Sequence, residues 1–224
     1  MHLVWDWNGT LLNDFDAVVR CTNLAFASVN GRAVSPDEHR RQFRRPIAEY
    51  YAEVLDRPVD AEEFARLDKL FHDEYRTRLS ECALAHDARA AIRAWGGEQS
   101  LLSMWFHTDL VPTVDGYGLT ELFRRVDGLR TGAEPGGNGH GGTGRGSADH
   151  KAGHLAAHLA ALGVPGADAV LIGDSLDDAD AAAAVGARAV LYTGGFTDAD
   201  RLRGYGVPVA DTLLEAVALA QPRR

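Results

Sequence analysis

Cysteine is nearly absent from the chain. Cys21 and Cys82 are the only two in 224 residues and lack CxxC spacing, which excludes a disulfide framework and leaves two reduced packing residues. Basic residues are in deficit: 23 Lys and Arg against 32 Asp and Glu give a formal net charge of −9. Such a surface repels a phosphate backbone, so nucleic acid is not an expected partner. No window approaches the roughly 20 consecutive apolar residues of a membrane helix, so no membrane partner is expected either. The opening MHLVWDWNGTLL has no basic segment followed by an apolar run and a small-residue cleavage site, and the expected setting is cytoplasmic. The Gly-rich run 132–146 lacks the Lys and Ser/Thr ending of a nucleotide P-loop and reads as a loop. What remains is an ordinary globular composition, 46% apolar and 25% charged, enough for one or two domains and silent on oligomeric state.

The pattern along the chain predicts an α/β fold. A short apolar run, His2 to Trp5, stops at Asp6. Residues 14–86 then carry only helical signals: a helix over 14–30, an N-cap at Ser35 with Pro36 in the first turn, and a helix over Ala61–Leu79 with Phe64, Leu67, Leu70 and Phe71 on one face. No strand is expected there. Afterwards strands alternate with helices. Strands are expected at Gln99–Met104, around Phe123–Val126, at Ala169–Ile172 and at Ala189–Tyr192, with helices ending near Trp95 and starting at Thr108, Ser147, Ser175, Thr197 and Asp211. This is a Rossmann-like parallel sheet core, residues 1–13 and 87–224, interrupted by an all-helical domain at 14–86. Ligands of open parallel sheets bind beyond the carboxyl ends of the strands, where Asp6, Ser103 and Asp174 are expected.

Four segments carry chemistry: VWDWNGTLL at 4–12, Ser103 in LLSMW, Lys151 in ADHKAGHL, and LIGDSLDD at 171–178. In this order they resemble the haloacid dehalogenase-like (HAD) hydrolases, in particular phosphoglycolate phosphatase-like members with a helical cap. The resemblance implies a Mg²⁺-dependent phosphatase acting on a small phosphorylated metabolite. Asp6 would be the nucleophile that forms an aspartyl-phosphate. Asp6, the main-chain carbonyl of Asn8, Asp174 and Asp178 would surround the metal, and Lys151 would hold the carboxylate and phosphate charges together. Gly9, Thr10 and Ser103 would donate to the phosphate, and residues 14–86 would form the cap. Within the cap, HRRQFRRPIAEYY at 39–51 offers Arg44 and Arg45 as readers of the rest of the substrate. The residue types suit the chemistry independently. Phosphoryl transfer needs a nucleophile, a hard cation on oxygen ligands and fixed donors, and a carboxylate nucleophile splits one hard step into two.

The sequence departs from the phosphatase pattern at Asn8, the catalytic acid–base position, where that pattern has a second Asp. An amide cannot shuttle a proton, and general acid catalysis is worth about 10² to 10⁴ in rate. A leaving group that needs no proton, a substrate with its own donor, or a neighbour such as His107 would each compensate. The alternatives are a catalytically weak or inactive phospho-ligand binder, or a 2-haloacid dehalogenase-type hydrolase. Asp177 reads as an exposed acid at a helix start, and His150, His154 and His158 as an exposed polar face.

Overall fold

The computed structural model describes residues 1–130 and 147–222. In chain order the elements are β1 (His2–Trp5), β2 (Leu12–Asn13), α1 (Phe15–Ala27), α2 (Pro36–Gln42), α3 (Ile47–Leu55), α4 (Ala61–Arg78) and β3 (Ala83–Leu84). They continue with α5 (Ala88–Ala94), β4 (Gln99–Phe106), α6 (His107–Gly116), β5 (Val126–Leu129), α7 (Ser147–Leu162), β6 (Ala169–Gly173), α8 (Leu176–Ala184), β7 (Arg188–Tyr192), α9 (Ala199–Arg203), β8 (Val209–Ala210) and α10 (Leu213–Ala220). Six strands form one sheet in the order β5-β4-β1-β6-β7-β8, every pairing parallel. The chain is thus α/β with a Rossmann-like sheet.

Alternation along the strands builds two cores. Leu3, Trp5, Leu101, Val170, Ile172 and Val190 face one side, with Ile92 of α5, Leu110 of α6 and Val217 of α10. Val4, Leu102, Leu171 and Leu191 face the other, with Leu155 and Leu159 of α7, Ala182 of α8 and Leu202 of α9. Burial on both faces is why these strands read as unbroken apolar runs, and each large side chain removed from water contributes about 1.5–3 kcal/mol. Between β2 and β3 the helices α1, α3 and α4 close on a third core through Phe26, Tyr50, Tyr51, Val54, Phe64 and Leu67. Helix α1 also contributes Phe15, Val18 and Val19 to the sheet core, so the helical layer is tied to it along one edge.

Several elements differ from expectation. Leu12–Asn13 pairs antiparallel with Ala83–Leu84, joining the two ends of the helical segment by strands too short to leave a periodic signal. The strand expected around Phe123–Val126 lies at Val126–Leu129, because Thr120–Leu122 forms a 3₁₀ turn that delays it. Strand β8 was not anticipated, and α10 is capped by Thr212, whose side chain accepts from the Glu215 N–H, rather than by Asp211. His150 is exposed and His154 half-buried, but His158 is buried against the sheet. The Gly-rich run 132–146 lies outside the described residues.

Candidate active site

Strand register brings the distant motifs together. Trp5 of β1 pairs with Ile172 of β6, so Asp6 leaves one strand beside the point where Asp174 leaves the next. The Asp6 N–H donates to the Ile172 carbonyl at 2.9 Å, fixing that exit. Leu101 of β4 pairs with Trp5 on the other side, which carries Ser103 to the same end of the sheet. Lys151 comes from α7 and Asp178 from the first turn of α8, where its Oδ2 accepts from the Ser175 N–H at 3.0 Å and the Ser175 hydroxyl at 2.7 Å.

Asp6, Asp174 and Asp178 each offer a carboxylate oxygen, and these oxygens lie within 4.8 Å of one another. All three residues are buried. Lys151, also buried, donates through Nζ to Asp6 Oδ1 at 2.7 Å and is ion-paired with Asp178 Oδ1. The Thr10 hydroxyl lies between Asp174 Oδ1, at 3.2 Å, and Asp6 Oδ2, at 3.4 Å. The Phe196 N–H donates to Asp174 Oδ2 at 2.7 Å. Two glycines make room for this acid: a Cβ on Gly9, whose φ is +72°, would stand 2.6 Å from Asp174 Oδ2, and one on Gly195 would stand 2.1 Å from it.

Three buried carboxylates face one ammonium, and the titration of the cluster reflects that imbalance. Burial, then the charge of Asp178, pushes the Asp6 carboxyl up to about 6 against the pull of Lys151 and Arg45. Asp174 is raised well above the usual carboxylate range by burial and by the charges of Asp6 and Asp178. Burial works against the Lys151 charge, but Asp178 and Asp6 outweigh it and hold its pKa above the ordinary value. A compact, oxygen-only, negatively overcharged pocket fits a hard divalent cation.

Asn8 stands beside this cluster, held by groups that the sequence had not marked. Its Nδ2 donates to Asp14 Oδ2 at 2.9 Å and to the Tyr75 hydroxyl oxygen at 2.8 Å, and its Oδ1 accepts from the Ser103 hydroxyl at 3.1 Å. Asp14 precedes α1 and also takes the Gly9 N–H at 2.8 Å and the Tyr75 hydroxyl at 2.5 Å. Tyr75 reaches in from α4. No motif flags Asp14, Tyr75 or Phe196; the one available signal was a second acid shortly after Asn8 at the start of a helix.

The expected site residues sort clearly. Asp6, Thr10, Lys151, Asp174 and Asp178 converge, with Asn8 and Gly9 at the rim. Ser103 is present and buried, yet its hydroxyl is directed at Asn8 and its oxygen accepts the Trp105 N–H. Arg45 lies 3.5 Å from Asp177 and close enough for its charge to lower the Asp6 pKa, so Asp177 is an ion-pair partner rather than a merely solvated acid. Arg44 is turned instead to Glu53 on the surface. His107 accepts the Gly128 N–H at 3.2 Å through Nδ1 and lines a surface groove with Arg124, Arg125 and Arg130, and among the described residues it makes no hydrogen bond to Asn8.

Comparison with known proteins bears on the fold. Residues 149–216 match the HAD-hydrolase-like family model. A predicted phosphoglycolate phosphatase from Haemophilus somnus superposes with a TM-score of 0.74 at 16% identity, over 98% of this chain and 97% of its own. A haloacid dehalogenase-like family protein from Streptococcus pneumoniae gives 0.75 at 16% identity over 98% of both chains. The fold is that of the haloacid dehalogenase-like hydrolases. A predicted phosphatase from Clostridium acetobutylicum shares it, with a TM-score of 0.75, 14% identity, and 97% and 96% coverage. No curated protein matches the chain. None of the described helices is long and apolar enough to cross a membrane.

Proposed function

We propose that the chain is a Mg²⁺-dependent phosphatase of the HAD type that removes phosphate from a small phosphorylated metabolite through an aspartyl-phosphate on Asp6. The observation that carries this reading is the buried cluster of three converging carboxylates, two of them paired with Lys151. Asp6, Asp174, Asp178 and the main-chain carbonyl of Asn8 would hold the ion. Bound there, magnesium would offset the charge of the transferred phosphoryl group.

The chain's own residues supply the rest. Lys151 holds Asp6 Oδ1, which leaves Oδ2 as the attacking oxygen. As the Oδ2–P bond forms, the P–O bond to the leaving group breaks and its electron pair departs with that oxygen. Water then attacks phosphorus as the Oδ2–P bond breaks, the bond pair returns to the Asp6 carboxylate, and the proton of the water passes to the phosphate released. The Thr10 hydroxyl borders the space for the phosphate, the Gly9 N–H and the Ser103 hydroxyl being given instead to Asp14 and Asn8, and Arg45 offers a cation to the remainder of the substrate. Residues 14–86 act as the cap over this space, with 1–13 and 87–224 as the core. Burial beneath the cap excludes water and strengthens each of these interactions.

Phosphate release should require both added Mg²⁺ and Asp6, and should disappear in Asp6→Ala and in chelator. Turnover that survives either treatment rejects the mechanism. Chloride release from a 2-haloacid in chelator would instead establish the dehalogenase alternative.

A further inference from the structure

The surroundings of Asn8 narrow the substrate class. An Asp14 carboxylate can only accept, so the part of Asn8 that faces it must be the N–H₂ group, and this fixes the amide orientation. Both amide hydrogens are then committed, one to Asp14 and one to Tyr75, and the carbonyl to Ser103. Tyr75 gives its own hydrogen to Asp14, so Asp14 receives three donors: Asn8, Tyr75 and the Gly9 main chain. Asp14 and Tyr75 are themselves buried. An aspartate at position 8 in the same pose would set an oxygen 2.9 Å from Asp14 Oδ2 in place of the nitrogen, so an acceptor would face an acceptor where the amide now donates. Every polar atom of the Asn8 amide thus has a partner that suits it. His107, the neighbour that could have replaced it as a proton donor, is anchored through Nδ1 by the Gly128 N–H in the groove with Arg124, Arg125 and Arg130, and among the described residues no hydrogen bond joins it to Asn8 or to the acidic cluster. Among the described residues, Asp6, Lys151, Asp174 and Asp178 are bound to one another or to Thr10, Ser175 and Phe196, and Arg45, whose guanidinium keeps its proton, is paired with Asp177.

We propose that Asp14 and Tyr75 lock position 8 as an amide, and that the site, given the phosphatase reading above, acts on phosphates whose leaving group departs unprotonated: acyl or acidic-phenol phosphates rather than alkyl phosphate esters. In the first step the P–O bond pair leaves with a carboxylate or the phenolate of an acidic phenol, both stable anions at neutral pH, as Asp6 bonds to phosphorus. An alkoxide leaving group would need the acid that position 8 cannot supply, a deficit of about 10² to 10⁴ in rate.

The test compares kcat/KM with Mg²⁺ for acetyl phosphate, 4-nitrophenyl phosphate and glycerol 1-phosphate in the wild type, Asn8→Asp, Asp14→Asn and the double variant. The first two substrates should exceed the third by at least about 100-fold in the wild type. The gap should narrow by about tenfold or more in the double variant, through faster glycerol phosphate turnover, and not in Asn8→Asp alone. Glycerol phosphate turned over within tenfold of acetyl phosphate by the wild type overturns the proposal. Thermal unfolding reads the lock without any turnover: Asn8→Asp should lower Tm by several degrees, and Asp14→Asn added to it should restore most of the loss. An Asn8→Asp protein as stable as wild type removes the lock, whatever the activity. No turnover on any of the three phosphates, with the Tm pattern as expected, overturns the phosphatase reading and with it the substrate assignment, so the two failures are told apart.

Discussion

Buried polar clusters occupy both ends of the central sheet, and their hydrogen bonding differs in kind. At the carboxyl end, three acids converge with one lysine paired to two of them, and Asp6 and Asp174 are held above their ordinary pKa. At the amino end, Asp127 Oδ2 meets His158 Nδ1 at 2.8 Å, His158 Nε2 meets the Ser100 hydroxyl at 2.7 Å, and that hydroxyl meets His2 Nε2 at 2.8 Å. Arg125 closes the chain by pairing with Asp127. Donors and acceptors alternate along it, so its charge is matched internally. The order carboxylate–imidazole–hydroxyl is also that of a hydrolytic triad, but Ser100 has no exposed surface and its oxygen is already shared with a second histidine. A buried polar network is thus no mark of function by itself. The mark is surplus charge of one sign that the protein leaves uncompensated.

Substitutions at the two ends should therefore have opposite consequences. The largest effect is expected from Asp6→Asn: turnover should fall by at least about 10⁴, the scale seen when a nucleophile is removed. Its Tm should hold or rise, because one of three crowded like charges is gone. A large drop in Tm would show that the carboxyl-end cluster is structural and would erase the contrast. His158→Ala should do the reverse. Removing the imidazole strands Asp127 and Ser100 and opens a buried void, so stability should fall by about 2–4 kcal/mol in urea unfolding, with kcat/KM within a few-fold of wild type. A stable but inactive His158→Ala would place the amino-end network in the reaction.

The sequence made one end of the sheet legible and hid the other. Asp6 and Asp174 announced themselves because each ends an apolar run, and two adjacent parallel strands of matched register must deliver their next residues side by side. Lys151 needed the resemblance, though one further signal was present: Lys69 is the only other lysine, and it lies exposed on α4. His158 was misread because its four-residue spacing from His150 and His154 suggested one common face. The helix turns by 3.6 residues, so over two steps the third histidine rotates from solvent toward Ser100. Asp14 and Tyr75 lie 61 positions apart and meet only because α4 packs along α1, a contact that no local pattern encodes. The two-residue strands β2 and β3 were invisible for the same reason: their pairing is tertiary.

The smallest expected effect separates the two ends by pH. Burial, reinforced by the neighbouring charge of His158, pushes the His2 imidazole down to about 4, whereas the unfolded chain titrates near the ordinary value of 6.5. Between these values the unfolded state takes up a proton that the folded state refuses. The resulting stability is complete above pH 6.5 and is lost as pH falls toward 4. His39, buried in the helical layer and likewise lowered to about 4, drives stability in the same direction, so the wild-type slope alone does not isolate the sheet. Comparison with His2→Gln does. The urea midpoint of the wild type should fall more steeply between pH 7 and pH 5 than that of the variant, while Ser100 keeps its bond to His158 in both. Equal slopes would mean that His2 ionises freely in the fold and that the amino-end network stops at Ser100.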